Sequence, residues 1–82
     1  MKIASRWLPD PSNHPQSVIR VDKEQGIAVM TVWPGHKPGV WLEAGLMCRF
    51  PHDSREVAIA HAELRLREDG YLLEEEISRG DS

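Results

Sequence analysis

The chain has 82 residues, of which 40% are apolar and 28% charged, with a net charge of −3 and one cysteine. That composition suits one domain with a modest core, is too apolar for a disordered chain, and excludes an internal disulfide. No apolar run approaches the roughly 20 residues of a membrane span, and no charged-then-apolar signal segment follows Met1, so a cytoplasmic protein without membrane contact is expected.

Lys2–Leu8 reads as a short first strand. Three prolines within Pro9–Pro15 stop it, so residues 1–16 form a strand and a Pro-rich arm. Ser17–Val21 and Ile27–Trp33 flank Asp22–Gly26, a hairpin pattern of β-branched runs around a polar loop ending in glycine. Ile27–Trp33 is apolar on both alternating faces, which suits a central strand covered on two sides, although a run this short also fits a helix. Pro34–Gly39 is a stiff loop bracketed by Trp33 and Trp41. Beyond it, Val40, Leu42, Ala44, Leu46, Cys48 and Phe50 alternate with Trp41, Glu43, Gly45, Met47 and Arg49. This predicts one long strand whose wholly apolar face is buried, with a bulge or bend at Gly45.

A helix follows over Ser54–Glu68. Asp53 and Glu56 have capping-box spacing, Gly70 stands where a left-handed terminator belongs, and Glu63 and Arg67 pair one turn apart. Its apolar residues fall on two sides. Val57, Ala60 and Leu64 share one face, and Ile59, Ala62 and Leu66 lie nearly opposite. One set packs on the sheet, and the other is left for a partner; Ile59, Ala62 and Leu66 are assigned to the partner. Tyr71–Ile77 alternates as an edge strand blunted by acids, although Leu-Leu-Glu-Glu-Glu also suits a helix. Residues 78–82 form a frayed tail. The sum is a single α+β domain over 1–82, a three- to four-stranded antiparallel sheet packed against one α-helix in the order βββαβ.

No chemical signature stands out. His14, His36, His52, His61 and Cys48 show no paired spacing of the kind zinc sites use, so no metal or cofactor is expected. Cys48 and His52 straddle a strand end with nothing to lower the thiol pKa, and the acids show no convergent pair. A non-enzyme is expected. Two features can serve binding. Trp33, His36, Lys37 and Trp41 lie on a Pro/Gly-stiffened loop, which is either a preorganised surface or a plain connection. Charge is also uneven: residues 1–67 carry nine Lys/Arg against seven acids, whereas 68–82 carry six acids against Arg79. Glu74, Glu75 and Glu76 therefore form either a solvated face or a docking surface for a basic partner.

The hairpin Val18–Trp33, the turn Pro34-Gly35 and the helix start Asp53–Ala58, with its Glu-x-Ala stretch, resemble the small β-β-β-α-β domain of HicB-type antitoxins. Val40–Phe50 is longer than that pattern. The resemblance implies a regulatory protein that binds a protein partner. The order is also similar to the three-stranded DNA-binding domains at the N-termini of phage-type integrases, which read DNA from the sheet. Such a nucleic-acid reading would use Arg20, Lys37, Arg49, Trp33 and Trp41, but the basic residues are scattered and the net charge opposes it.

The expectation is a small protein-binding or regulatory module, of the accessory kind carried by bacteria or phages, acting on a protein partner or as a homodimer. Its binding residues would be Trp33, His36, Lys37, Trp41, Ile59, Ala62, Leu66, Glu74, Glu75 and Glu76.

Overall fold

The computed structural model describes residues 1–11, 15–44 and 49–80, the last three of these by backbone alone. His14, Gly45 and Cys48, and with them the expected bulge and core thiol, lie outside the described residues. The elements are β1 (Ile3–Ala4), β2 (Leu8–Pro9), β3 (Val18–Val21), β4 (Ala28–Pro34), β5 (Trp41–Ala44), β6 (Arg49–His52), α1 (Arg55–Glu68), β7 (Leu72–Leu73) and α2 (Glu74–Gly80). Strands β2 to β6 form an antiparallel meander in chain order, and β1 pairs in parallel with β7. Helix α1 packs across β4, β5 and β6. The expected α+β fold, an antiparallel sheet backed by one main helix, is the one that forms.

The meander has five strands because two expected strands are each divided. The N-terminal stretch splits into β1 and β2, which pair with different partners. Val40–Phe50 does not run as one strand. Eleven extended residues would span about 37 Å, well beyond the seven-residue β4 beside it, leaving much of their backbone unpaired. The chain folds back instead, and β6 pairs with β5 from Trp41↔His52 to Ala44↔Arg49.

The phase of this strand is also opposite to the expected one. Residues paired across antiparallel strands share a face, and the row Val18, Val32, Glu43, Phe50 lies on the helix side. Glu43 is therefore the buried residue of β5, and Leu42 faces away from α1. The core beneath the helix comprises Ala4, Met30, Val32, Ala58, Ala62, Leu66 and Leu73.

Helix α1 begins one residue later than its capping box implies. Ser54, with extended backbone, is the N-cap, and its hydroxyl accepts a hydrogen bond from the Val57 amide at 3.2 Å. At the other end Gly70 has φ of 91°, Gly70 N–H donates to Arg67 O and Tyr71 N–H to Leu66 O. This is the Schellman arrangement in which glycine avoids the Cβ penalty of a left-handed residue. The two helix faces are exchanged relative to expectation. Ala62 and Leu66 are buried and Ile59 packs against the core, whereas Val57 and Leu64 are about half exposed. Ala58 and Ala62 explain the choice, because their small side chains let the helix axis approach the sheet.

Only Leu72–Leu73 of the expected last strand is extended. Glu74, Glu75 and Glu76 open α2, where carboxylates meet the positive end of a helix. Ser78–Gly80, expected to fray, continue that helix. No helix among the described residues is long and apolar enough to cross a membrane.

Candidate functional site

The side of the meander away from α1 is unusual for an antiparallel sheet. Such a face is ordinarily polar. Here the register brings Leu8, Ile19 and Thr31 into one row and Trp33, Leu42 and Pro51 into the next. Ala44 and Arg49 extend it, and the Arg49 guanidinium lies 5.8 Å from the centre of the Trp33 ring. None of Ile19, Trp33 and Leu42 belongs to the core cluster. Among the described residues of these rows there is one cation and no carboxylate.

The loop between β4 and β5 is held by Gly35 N–H donating to Val40 O at 2.8 Å. It does not join its two tryptophans. Pro34 pairs with Trp41 and Trp33 with Leu42, so the rings leave the sheet on opposite faces. Trp33 belongs to the uncovered face, while Trp41 packs against the core and borders an open groove with Trp7, Pro9, Val18 and Arg55. His36 and Lys37 are exposed on the loop itself.

Beneath α1 the sheet carries two ionic clusters in its buried layer. In the first, Glu43 is wholly buried. Its Oε1 lies 2.8 Å from His52 Nε2 and 2.5 Å from His61 Nδ1, and its Oε2 accepts a bond from Arg65 at 2.9 Å. Arg65 also donates to Ala44 O and stacks on Phe50, 4.8 Å from the ring centre. The carboxylate and the two imidazoles come from β5, β6 and α1, are of types that can ligate a metal, and have their ligand atoms within 4.8 Å of one another. Sequence reasoning missed this group because its members are nine residues apart. The hairpin register and the helix crossing bring them together, and neither is visible as spacing.

In the second cluster Arg20 of β3 is wholly buried. It makes a two-pronged contact with Glu75 of α2, bonds Glu63 of α1 at 2.9 Å, and donates to Ser5 O. Trp7 lies over the guanidinium at 5.0 Å and donates its indole N–H to Glu63. Burial pushes the Glu75 carboxyl up, but the Arg20 hydrogen bonds, a hydrogen bond from its own backbone amide and the Arg20 charge together outweigh it, and the net shift is downward.

The neighbouring acids are engaged in the same way. Glu74 accepts from the Arg6 amide and from Lys23, which together hold its carboxyl below the usual range. Glu76 pairs with Arg67, raising the Arg67 pKa. Glu74–Glu76 thus close the fold from within, and the excess of basic residues upstream of them is where they dock.

These pairings remove Arg20 from any surface that could meet nucleic acid. The packing of α1 on the sheet likewise takes Ile59, Ala62 and Leu66 out of consideration as an exposed face, since the outward apolar positions of α1 are Val57, Ala60 and Leu64. No protein family, curated protein or solved structure matches this chain.

Proposed function

We propose that this chain is a small, non-enzymatic protein-binding module that modulates its partner by occupying a surface, working in the cytoplasm as an accessory protein of a bacterium or phage. The observation that carries this reading is the sheet face built from Leu8, Ile19, Trp33, Leu42 and Pro51, on the side away from α1 and, among the described residues, backed by no other element. A sheet face with this composition is stabilised by losing water to a partner, and tryptophan is the residue most enriched at binding hot spots. Charge favours a different protein over a second copy. Among the described residues of the paired rows the face offers Arg49 and no carboxylate, so a twofold pairing of these rows would bring in no acid to meet that cation. A partner segment with apolar side chains and an Asp or Glu would complement it. The resemblance to the HicB-type domain points the same way, toward a regulator that acts by binding protein.

The test is affinity capture from the native host with the wild type and two surface variants, Trp33→Ser and Leu64→Gln. The expected result is a stoichiometric partner that Trp33→Ser loses by at least tenfold in affinity and Leu64→Gln retains. Capture of nothing stoichiometric, or capture indifferent to Trp33→Ser, overturns the reading. Sedimentation showing a dimer that Trp33→Ser dissociates would replace the foreign partner with a second copy.

A further inference from the structure

We infer that Glu43, His52 and His61 form a binding site for one divalent transition-metal ion of the zinc type. Two imidazoles and one carboxylate are a donor set that zinc accepts readily. In this fold they converge from three different elements, and the atoms that approach one another are the ligating ones: Oε1 of Glu43, Nε2 of His52 and Nδ1 of His61.

The carboxylate is prepared for the role. Arg65 holds Oε2 at 2.9 Å, which fixes the rotation of the group and turns Oε1 toward the two rings. A ligand held in this way by a neighbour on its far side is the usual arrangement around protein-bound metals. Exposure is graded across the site. The Glu43 side chain is 0% exposed, that of His52 11% and that of His61 39%, so the group has a sealed floor and an open rim on the His61 side. Among the described residues, three protein ligands and a solvent-facing rim leave the fourth position of a tetrahedral ion open, as in zinc sites that keep a water there.

The bland alternative is a buried carboxylate neutralised by hydrogen bonds alone, and the two differ in specific ways. With no ion, each ring nitrogen near Oε1 carries a proton and donates it. To ligate, His52 must carry its proton on Nδ1 and His61 on Nε2; the two Glu43–His contacts must open, and the two ring nitrogens, within 4.8 Å of each other, must settle at a similar separation of about 3.4 Å to fit bond lengths near 2.1 Å. These adjustments are on the order of 1 Å, and His61, the more exposed of the two rings, has the most room to make them. Arg65 opposes the ion by its charge and so weakens binding relative to sites built from thiolates, without touching the ligating oxygen. Because β5, β6 and α1 each give one ligand, the ion joins the helix to the far end of the sheet. Binding therefore raises the temperature of unfolding.

The experiment uses the full chain stripped with a chelator, titrated with zinc alone by calorimetry at about pH 7.5, where free imidazole is mostly neutral. Cobalt(II) serves as a spectroscopic probe. The expected result is one ion per chain with Kd below about 100 µM, a rise in Tm that grows with the logarithm of zinc concentration, and visible cobalt absorption of low-symmetry, four-coordinate type. His61→Ala, at the exposed rim, should weaken zinc at least tenfold while circular dichroism stays unchanged, and His52→Ala should do the same. His36→Ala, on the exposed loop between β4 and β5, should leave binding intact. No zinc binding by the folded wild type at 100 µM, or binding that survives His61→Ala, overturns the inference and leaves a hydrogen-bonded triad. If His52→Ala does not fold, the wild-type isotherm and His61→Ala decide the question without it.

Discussion

Arg20 and Glu43 bring charge into a layer where apolar residues ordinarily sit, and both are wholly buried. Desolvating such groups costs several kcal/mol each, and only good partners offset it. Glu43 meets three donors and Arg20 two carboxylates and a carbonyl, although Arg20 Nε is left without a hydrogen-bond partner. The consequence is asymmetric. Arg65→Ala leaves the buried Glu43 without its one permanently charged partner, and breaking a buried pair in this way costs about 3–5 kcal/mol. In a domain of this size that is a large share of the total, and Tm should fall by more than about 10 °C. The double variant Glu43→Leu with Arg65→Met removes both charges and fills the space. It should be markedly more stable than Arg65→Ala. Thermal melts of the wild type, Arg65→Ala and the double variant check this; a double variant no better than Arg65→Ala would mean that the pair contributes net stability beyond its desolvation.

At the scale of elements, the helix shows how local rules place a segment and where they slip by one residue. Asp53 and Ser54 are both good caps, and the sequence pattern selects Asp53 through Glu56, yet the Ser54 hydroxyl makes the bond to Val57. Ser54→Ala should therefore cost about 1 kcal/mol, seen as a fall in Tm of roughly 4–8 °C. Asp53→Ala should cost less than half as much. The reverse order in thermal melts would move the cap back. Hairpin Val18–Trp33, helix 55–68 and its stop at Gly70 were all legible, because turn glycines, caps and β-branched runs act locally. The division of Val40–Phe50 was not, since its alternation is equally regular whether the chain runs on or folds back, and the choice is made by pairing with β4 and β6. The side of α1 that meets the sheet was hidden for a similar reason: two apolar faces of comparable character exist, and Ala58 and Ala62 decide between them through close approach. Of the candidate site residues, Trp33 stood out in the sequence only as one end of a Pro/Gly-stiffened loop, and its place on the sheet face away from α1 follows from its pairing with Leu42. Glu43, His52 and His61 did not stand out, because only the tertiary register makes them neighbours.

The whole molecule is closed by electrostatics between its two ends. The basic excess of residues 1–67 and the acidic excess of 68–82 meet in Lys23–Glu74, Arg20–Glu75 and Arg67–Glu76, so that α2 is fastened to β3, to the turn after it and to α1. Both Glu74 and Glu75 have pKa values lowered by folding. A carboxylate of this kind binds fewer protons folded than unfolded, so its stabilising contribution is complete above the unfolded value and vanishes as pH falls through the folded one. For glutamate that window opens near pH 4.3 and extends downward. Stability should thus be flat toward neutral pH as far as these two groups are concerned, and should decline below about pH 4.5. Glu75→Gln removes the titration and the charge that faces Arg20 together. It should lower Tm at neutral pH, where the wild type has the full contribution, and shrink the gap to the wild type as pH approaches 3. Arg20 would then be a buried cation with only Glu63 to face it, so the neutral-pH loss should exceed that of Glu76→Gln, whose partner Arg67 is exposed. Melts at a series of pH values separate the two. A Glu75→Gln deficit that stays constant from neutral pH to pH 3 would mean that the Arg20 contact does not depend on the Glu75 charge, and that α2 is held chiefly by its apolar contacts.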